Sequence, residues 1–309
     1  MSSPENIDDE LRLDAVLDGP EAGGIAIRGG AIRVVGFGLA SLLGLVSVPL
    51  LTRHLGPASY GDFVAVGAIA FIVGGLTDAG LTNIGIREYS VRRESERRHF
   101  LAALLGLRLI LTCVGVAAAL ALIALTGAKP VIIAGTAIMG LAVALTLLQV
   151  TYTVPLTAEL RFGRITALEL LRQSVTTATV VLLVAAGASL VPFFWTAALA
   201  AAVTLATTLA VIRPSSRIWP RFDRQLWRAI ALEAIPYTFA LAGGFLYFRL
   251  AVVLMSYLSS GAETGYYGAA FRITEVIGVL PWLAVSAAFP ILARAAANDS
   301  ARMQYALQQ

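Results

Sequence analysis

The chain has 309 residues, of which 58% are hydrophobic and only 14% are charged, and its formal net charge is +4. Soluble globular proteins carry about 25% charged residues, so this composition excludes a water-soluble protein and indicates an all-α polytopic membrane protein. One cysteine and two histidines exclude a disulfide framework and a metal site built on clusters of these residues, and we expect no metal ion or cofactor.

The first segment of the chain is acidic. Residues 1–24 contain seven carboxylates and one arginine, whereas a secretory signal begins with positive charge. A segment this polar cannot bury enough apolar surface to fold on its own. The sequence therefore predicts a disordered acidic cytoplasmic tail over residues 1–27.

Eight long apolar runs follow the tail, and each is a candidate membrane-spanning helix. A bilayer core is about 30 Å thick, so a helix that crosses it needs about 20 mostly apolar residues. The predicted spans are 31–52, 62–86, 100–126, 130–154, 165–187, 190–212, 229–257 and 266–292. The only cysteine, Cys113, is predicted to be buried in the third span.

The segments between the spans alternate in basic charge. On one side of the predicted membrane they carry 17 arginines, and on the other side only Arg53 and Lys129. Because basic residues stay on the cytoplasmic side, both ends of the chain are predicted to be cytoplasmic, in the cell membrane. These arginines satisfy the topology rule beside the lipid bilayer, so no nucleic acid partner is predicted.

Charged residues also occur inside the predicted spans. Asp78 in the second span and Arg108 in the third lie at similar depths, about 10–12 Å from the cytoplasmic side at 1.5 Å per residue. A charge in the bilayer core costs about 2.5–3.5 kcal/mol on insertion scales, so we expect these two to pair. The pair either fixes the packing of the two helices or acts as a gate coupled to protons or sodium. Glu169 and Arg172 fall in the same layer.

A second charged group lies in the last two spans. Arg249 and Arg272 lie at the depth of a single acid, Glu275, which pairs most easily with Arg272 at i,i+3. Arg249 is then left over, either as an anion-binding group, since guanidinium suits bidentate phosphate binding, or as a side chain that reaches the outer headgroups. Arg33 is a further candidate for the same anion site.

A weak internal repeat connects the second and eighth spans. Shifting the sequence by 204 residues aligns five identical pairs, which are Gly61 with Gly265, Ala65 with Ala269, Ile69 with Ile273, Gly74 with Gly278 and Leu76 with Leu280. An even number of spans separates the two copies, so they are predicted to run in the same direction. Parallel repeats related by an axis along the membrane normal are a transporter architecture.

Residues 28–90 carry the motifs T-R-x-L-G-P-x-x-Y-G-x-F (52–63), D-x-G-L (78–81) and R-E-x-S (87–90). With the basic entry to the first span, they resemble the opening of polysaccharide or lipid-linked oligosaccharide flippases of the multidrug/oligosaccharidyl-lipid/polysaccharide exporter superfamily. Residues 265–294 resemble the eighth helix of that family.

The resemblance implies two lobes of six helices each. Residues 28–212 would form the first lobe, 213–228 a basic cytoplasmic linker, and 229–309 the first two helices of the second lobe. Family members have 12 to 14 spans and this chain has eight. We therefore expect a fragment, or a partner that supplies the missing helices.

The resemblance also implies a function without covalent chemistry. A flippase would take a polyprenyl-diphosphate-linked oligosaccharide at the inner leaflet, hold its diphosphate by arginine and release it at the outer leaflet, with proton or sodium coupling. A drug or cation antiporter of the same superfamily would favour acids in its cavity. An integral-membrane glycan polymerase or ligase would carry a large charged outer loop, and a structural subunit is a further alternative.

Overall fold

The computed structural model describes residues 22–78, 80–159, 161–212, 218–275 and 277–278, with side chains from residue 33 onward. Every regular element in these ranges is a helix, which confirms the predicted all-α polytopic fold class. The first helix begins at Ala22, inside the predicted tail, and residues 1–21 lie outside the described ranges.

Helix α1, Ala22–Asp78, is bent at Gly56, whose φ of 73° and ψ of 164° are not helical. Pro57 follows, and proline suits the first position of a new helix because it has no N–H to leave unpaired. The bend divides α1 into a first arm before Gly56 and a second arm after it. The two arms correspond to the first two predicted spans.

The remaining helices follow the predicted order. They are α2 (Leu81–Val91), α3 (Glu94–Leu125), α4 (Pro130–Ala158), α5 (Phe162–Ala185), α6 (Leu190–Val211), α7 (Arg224–Leu258) and α8 (261–275). The predicted second span was continuous to residue 86, but the helix ends at Asp78 and Gly80 adopts a left-handed conformation before α2. The eighth predicted span extends to residue 292, and its part beyond 278 lies outside the described ranges.

Six helices in the described ranges are long and apolar enough to cross a membrane. The first of them, Arg33–Val91, has 59 residues and combines both arms of α1 with α2. A straight helix of that length would measure about 90 Å, about three bilayer cores, so the bend at Gly56 is needed to give two crossings. The chain is a multi-pass membrane protein.

Short loops meet at one end of the helices. His54 Nε2 lies 2.8 Å from the carbonyl oxygen of Ala188, which connects the bend in α1 to the α5–α6 turn. At the same end, Lys129 Nζ donates to Asp62 Oδ1 over 2.8 Å. We call this the short-loop end.

The basic segments meet at the opposite end, which we call the arginine-rich end. Arg87 of α2 forms an ion pair with Glu233 of α7. His99 Nε2 lies 2.9 Å from Asp223 Oδ2, and the other carboxylate oxygen of Asp223 accepts the backbone N–H of Leu226 and caps α7. The Leu226 hydrogen bond and then the His99 contact lower the pKa of Asp223. The linker before α7 is thereby attached to α3.

Glycines allow several helices to pack closely. A Cβ built on Gly140 of α4 would lie 2.6 Å from Val116 of α3, and one on Gly135 would lie 2.7 Å from the Phe194 ring of α6. Helix association in lipid relies on such close packing, because lipid tails remove the hydrophobic driving force.

Outward-facing side chains are apolar, and Cys113, predicted to be buried, is on the exposed face of α3. The apolar character of this helix on all sides misled that prediction.

The second arm of α1 contacts α8 along a line of glycines at the short-loop end. A Cβ on Gly61 would overlap the carbonyl oxygen of Gly261, and a Cβ on Gly265 would overlap the carbonyl oxygen of Pro57. We call these four residues the glycine seam. The shift of 204 residues converts one contact into the other, so the two copies of the repeat pack reciprocally and in register.

Candidate functional site

A cavity of about 570 Å³ lies between α7 and α8 on one side and α1, α4, α5 and α6 on the other. Three arginines line it, Arg172 from α5, Arg249 from α7 and Arg272 from α8. Both arms of α1 also contribute, and most of the remaining wall is apolar. The cavity is therefore an apolar chamber with a concentration of guanidinium groups.

Arg249 is held from three directions. Its Nη2 donates to Glu275 Oε1 over 2.5 Å, and its guanidinium carbon lies 4.7 Å from the centre of the Phe71 ring and 5.5 Å from that of Phe271. Such cation–π contacts stabilise a guanidinium that has little access to water. Its Nε is buried and has no hydrogen-bond partner among the described residues. The group is therefore fixed in position.

Glu275 pairs with both arginines, whereas the sequence predicted a pair with Arg272 alone. Its Oε2 accepts from Arg272 Nη1 over 3.0 Å while its Oε1 accepts from Arg249. The prediction considered the i,i+3 spacing on α8 and missed that α7 brings Arg249 to the other oxygen. One carboxylate therefore connects both arginines.

Arg272 also approaches α1 and α5. A Cβ built on Gly44, in the first arm of α1, would lie 3.3 Å from Arg272 Nη2 and 3.4 Å from Gln173 Nε2 of α5. The glycine leaves room for two polar side chains, one from α5 and one from α8, to come together. Arg272 and Gln173 both line the cavity.

Arg172 was not predicted as a binding residue. Its Nε donates to Glu169 Oε2 over 3.2 Å at i,i+3, and the same side chain lines the cavity. The sequence placed both residues at the depth of Asp78 and Arg108. Its position within a span, one turn from the acid Glu169, could have identified Arg172 as a cavity residue.

Arg33 lies apart from this site. Its guanidinium carbon is 5.7 Å from the centre of the Phe162 ring, at the start of α5. It does not line the cavity. Position near the start of a span therefore did not distinguish a cavity residue from one at the arginine-rich end.

Asp78 and Arg108 lie together where α1 to α4 meet. Arg108 Nη2 donates to Asp78 Oδ1 over 2.5 Å and to Thr82 Oγ1 over 2.5 Å, and Nη1 donates to Thr151 over 2.8 Å. The Arg108 side chain is 0% exposed. Neither charge lines the cavity. These hydrogen bonds connect α1, α2, α3 and α4.

In the described ranges, no cluster of His, Cys, Asp and Glu side chains could hold a metal ion.

Comparison with protein families finds one matching family model. Residues 26–296 match the model described as "Polysaccharide biosynthesis protein". No curated protein matches the sequence significantly.

Two solved structures with a similar fold are transporters. The MATE multidrug transporter DinF-BH shares 15% identity with a TM-score of 0.63, and the match covers 87% of this chain and 64% of that one. A MOP superfamily transporter from Pyrococcus furiosus, described as having a binding pocket of reverse polarity that suggests a different function, shares 16% identity with a TM-score of 0.57; the match covers 91% of this chain and 66% of that one. The chain thus spans about two thirds of the length of these relatives.

Proposed function

Because the chain belongs to the polysaccharide biosynthesis protein family, we propose that it acts in a membrane transporter for lipid-linked glycans. The substrate is a polyprenyl-diphosphate-linked oligosaccharide, which the transporter flips from the inner to the outer leaflet. No covalent step is required. The fold shared with MOP superfamily transporters supports transport as the activity.

The positive charge of the cavity is the observation that carries this proposal. Three guanidinium groups line the wall, and among the residues that the structure describes two carboxylates, Glu169 and Glu275, pair with them. The excess positive charge lies in an apolar chamber, where a diphosphate would neutralise it. Arginine binds phosphate oxygens through two parallel N–H groups.

The opposite wall suits the sugar part of the substrate. Gln173 and Thr176 of α5 and Ser47 of α1 line the cavity from the first lobe. Amide and hydroxyl groups can both donate and accept hydrogen bonds, as sugar hydroxyls require. In this proposal α7 and α8 hold the diphosphate and the first lobe contacts the glycan.

The orientation follows from the arginine-rich end. We place this end at the cytoplasm, because arginine-rich loops are retained there. Substrate would then enter from the inner leaflet and leave at the short-loop end.

The test is flipping of a labelled polyprenyl-diphosphate oligosaccharide in reconstituted vesicles. Because a lost charged hydrogen bond costs about 1.5–3 kcal/mol, Arg249→Ala should lower the rate at least about tenfold. Arg249→Lys should also impair flipping, since lysine keeps the charge but loses the bidentate geometry. Arg33→Ala removes an arginine outside the cavity and should flip normally.

Normal flipping by a folded Arg249→Ala, Arg272→Ala double variant would refute the proposed anion site. A cation antiporter is the second candidate, since the fold is shared with a MATE multidrug transporter. The excess positive charge in the cavity disfavours a cationic substrate. Vesicles that expel a cationic dye, with no flipping of the diphosphate lipid, would favour the antiporter.

A further inference from the structure

Glu275 occupies the place where an anionic ligand would bind. Its two carboxylate oxygens accept from Arg249 Nη2 over 2.5 Å and from Arg272 Nη1 over 3.0 Å. These are the guanidinium groups assigned above to the diphosphate. Arginine N–H groups donate to carboxylate and phosphate oxygens alike, so Glu275 and a diphosphate compete for these two N–H groups.

A diphosphate and an ionised Glu275 disfavour each other in this chamber. Like charges a few ångströms apart repel strongly where the surroundings are apolar. The Glu275 side chain is only 20% exposed, so water screens that repulsion poorly. Binding of the ligand to both arginines is therefore weakened while Glu275 keeps its present hydrogen bonds.

We propose that Glu275 is an internal counter-anion that the diphosphate displaces. Before the ligand binds, the carboxylate pairs with Arg249 and Arg272 and offsets part of their positive charge, and on binding it gives up at least one of them. When the ligand leaves, the carboxylate returns, which lowers affinity and favours release. This inference rests on the proposed function, because the displacing group is the diphosphate of that substrate.

The surrounding contacts keep the arginines in place during such an exchange. Arg249 is also held by the Phe71 and Phe271 rings, so its position does not depend on Glu275 alone. Arg272 is more accessible, with 42% of its side chain exposed. We expect Arg272 to be the first of the two to exchange the carboxylate for the ligand.

Equilibrium binding to the purified full chain in neutral detergent tests this role, with radiolabelled farnesyl diphosphate as the probe and farnesol as its uncharged control. Removing a competing charged hydrogen bond should make Glu275→Gln bind farnesyl diphosphate about tenfold more tightly than wild type. A purely structural Glu275 predicts the opposite sign, namely weaker binding. Farnesol binding should not change.

Glu169→Gln is the matched control. Glu169 has the same i,i+3 relation to an arginine of the cavity wall, but 43% of its side chain is exposed and it pairs with Arg172 alone. Because exposed pairs are worth about 0–1 kcal/mol, affinity should change less than about fivefold. Equal gains in both variants would show a general effect of charge and overturn the specific role of Glu275.

The remaining outcomes separate this inference from the proposed function. If wild type binds farnesyl diphosphate in an Arg249-dependent way and folded Glu275→Gln binds it equally or more weakly, only the counter-anion is refuted. If wild type and Glu275→Gln both bind farnesyl diphosphate no better than farnesol, the anion site itself is refuted. Should Glu275→Gln not fold, Glu275→Asp decides: its shorter side chain should still tighten binding, and unchanged or weaker binding overturns the role.

Discussion

Arg108 combines full burial with a charged side chain. That side chain is 0% exposed, so protein groups rather than water must solvate its guanidinium. Asp78, Thr82 and Thr151 accept its hydrogen bonds, while its Nε has no partner among the described residues. Breaking such a pair from one side costs much more than the pair contributes, because it leaves a buried charge uncompensated.

We therefore predict strong coupling between Asp78 and Arg108. Asp78→Asn or Arg108→Leu alone should each destabilise the protein by about 3 kcal/mol or more. The double variant removes both charges and should be less destabilised than the sum of the single variants. Thermal unfolding in detergent measures all three, and simple additivity would contradict the pairing.

The pair of Asp62 with Lys129, which is exposed on its lysine side, provides the control. The Lys129 side chain is 59% exposed, and exposed ion pairs contribute about 0–1 kcal/mol. Asp62→Ala should therefore have little effect on unfolding. If Asp78 were instead a proton- or sodium-coupled gate, Asp78→Asn would abolish transport in a protein of unchanged stability.

Counting depth along the spans showed which charged residues lie at the same level of the membrane. It did not show in which direction a side chain points around its helix. Counting 1.5 Å per residue placed Asp78 beside Arg108, and the structure brings these two together. The same counting could not show that Arg249 turns toward Glu275, since rotation about a helix axis depends on packing against neighbours. Arg33 does not line the cavity, and position near the start of a span does not show whether a side chain reaches it.

At the scale of helices, glycine governs how closely α1 and α8 approach. At the glycine seam a backbone carbonyl lies where a Cβ of residue 61 would be. Backbone moves less readily than a side chain, so this contact tolerates no larger residue. By contrast, a Cβ on Gly38, in the first arm of α1, would meet nothing within 4 Å.

We predict that Gly61→Ala separates α8 from the second arm of α1. Overpacking of a close contact costs about 1–3 kcal/mol, whereas Gly38→Ala should be neutral or stabilising because alanine favours helix. A Cβ on Gly261 would lie 3.7 Å from that of Ala58, within the range of about 3.5–4.5 Å for disulfides. An Ala58→Cys, Gly261→Cys pair should therefore cross-link.

The cross-link reports the separation directly. Its yield should fall when Gly61→Ala is added and stay unchanged when Gly38→Ala is added. Equal yields in the two backgrounds would show that the seam accommodates a methyl group.

Hydrophobic run length predicted the helices well, and their breaks less well. Loss of apolar residues around Arg53 marked the end of the first span, and Gly56 and Pro57 lie there. Gly80 was not recognised as a break, because the residues on both sides are compatible with a helix. A left-handed glycine between two helices depends on tertiary contacts, here with Tyr237 of α7, that no local pattern contains.

The whole molecule has two chemically different ends, which makes its orientation testable. Ser95 lies exposed at the arginine-rich end and Ser189 at the short-loop end. In a Cys113→Ala background, Ser189→Cys should react with an impermeant maleimide added to sealed right-side-out vesicles. Ser95→Cys should react only after the membrane is opened. The reverse pattern would invert the orientation on which the direction of flipping depends.

The repeat could be read from the sequence, but the place where its two copies meet could not. Five identical pairs predicted two helices running the same way. Only the packing shows that equivalent glycines contact one another, because a repeat defines which residues correspond and not where the axis between them passes.

The reciprocal glycine seam is the kind of contact that holds a two-fold symmetric homodimer, in which residue i meets j and j meets i. In a homodimer every charge occurs twice, so a cluster of arginines would face its own copy. Here the position equivalent to Arg272 is Ala68, and that equivalent to Glu275 is Phe71. Arg249 is contacted by both Glu275 and Phe71, one offering a carboxylate and the other a ring. Joining the two copies in one chain lets one copy carry the charge while the other provides an apolar wall.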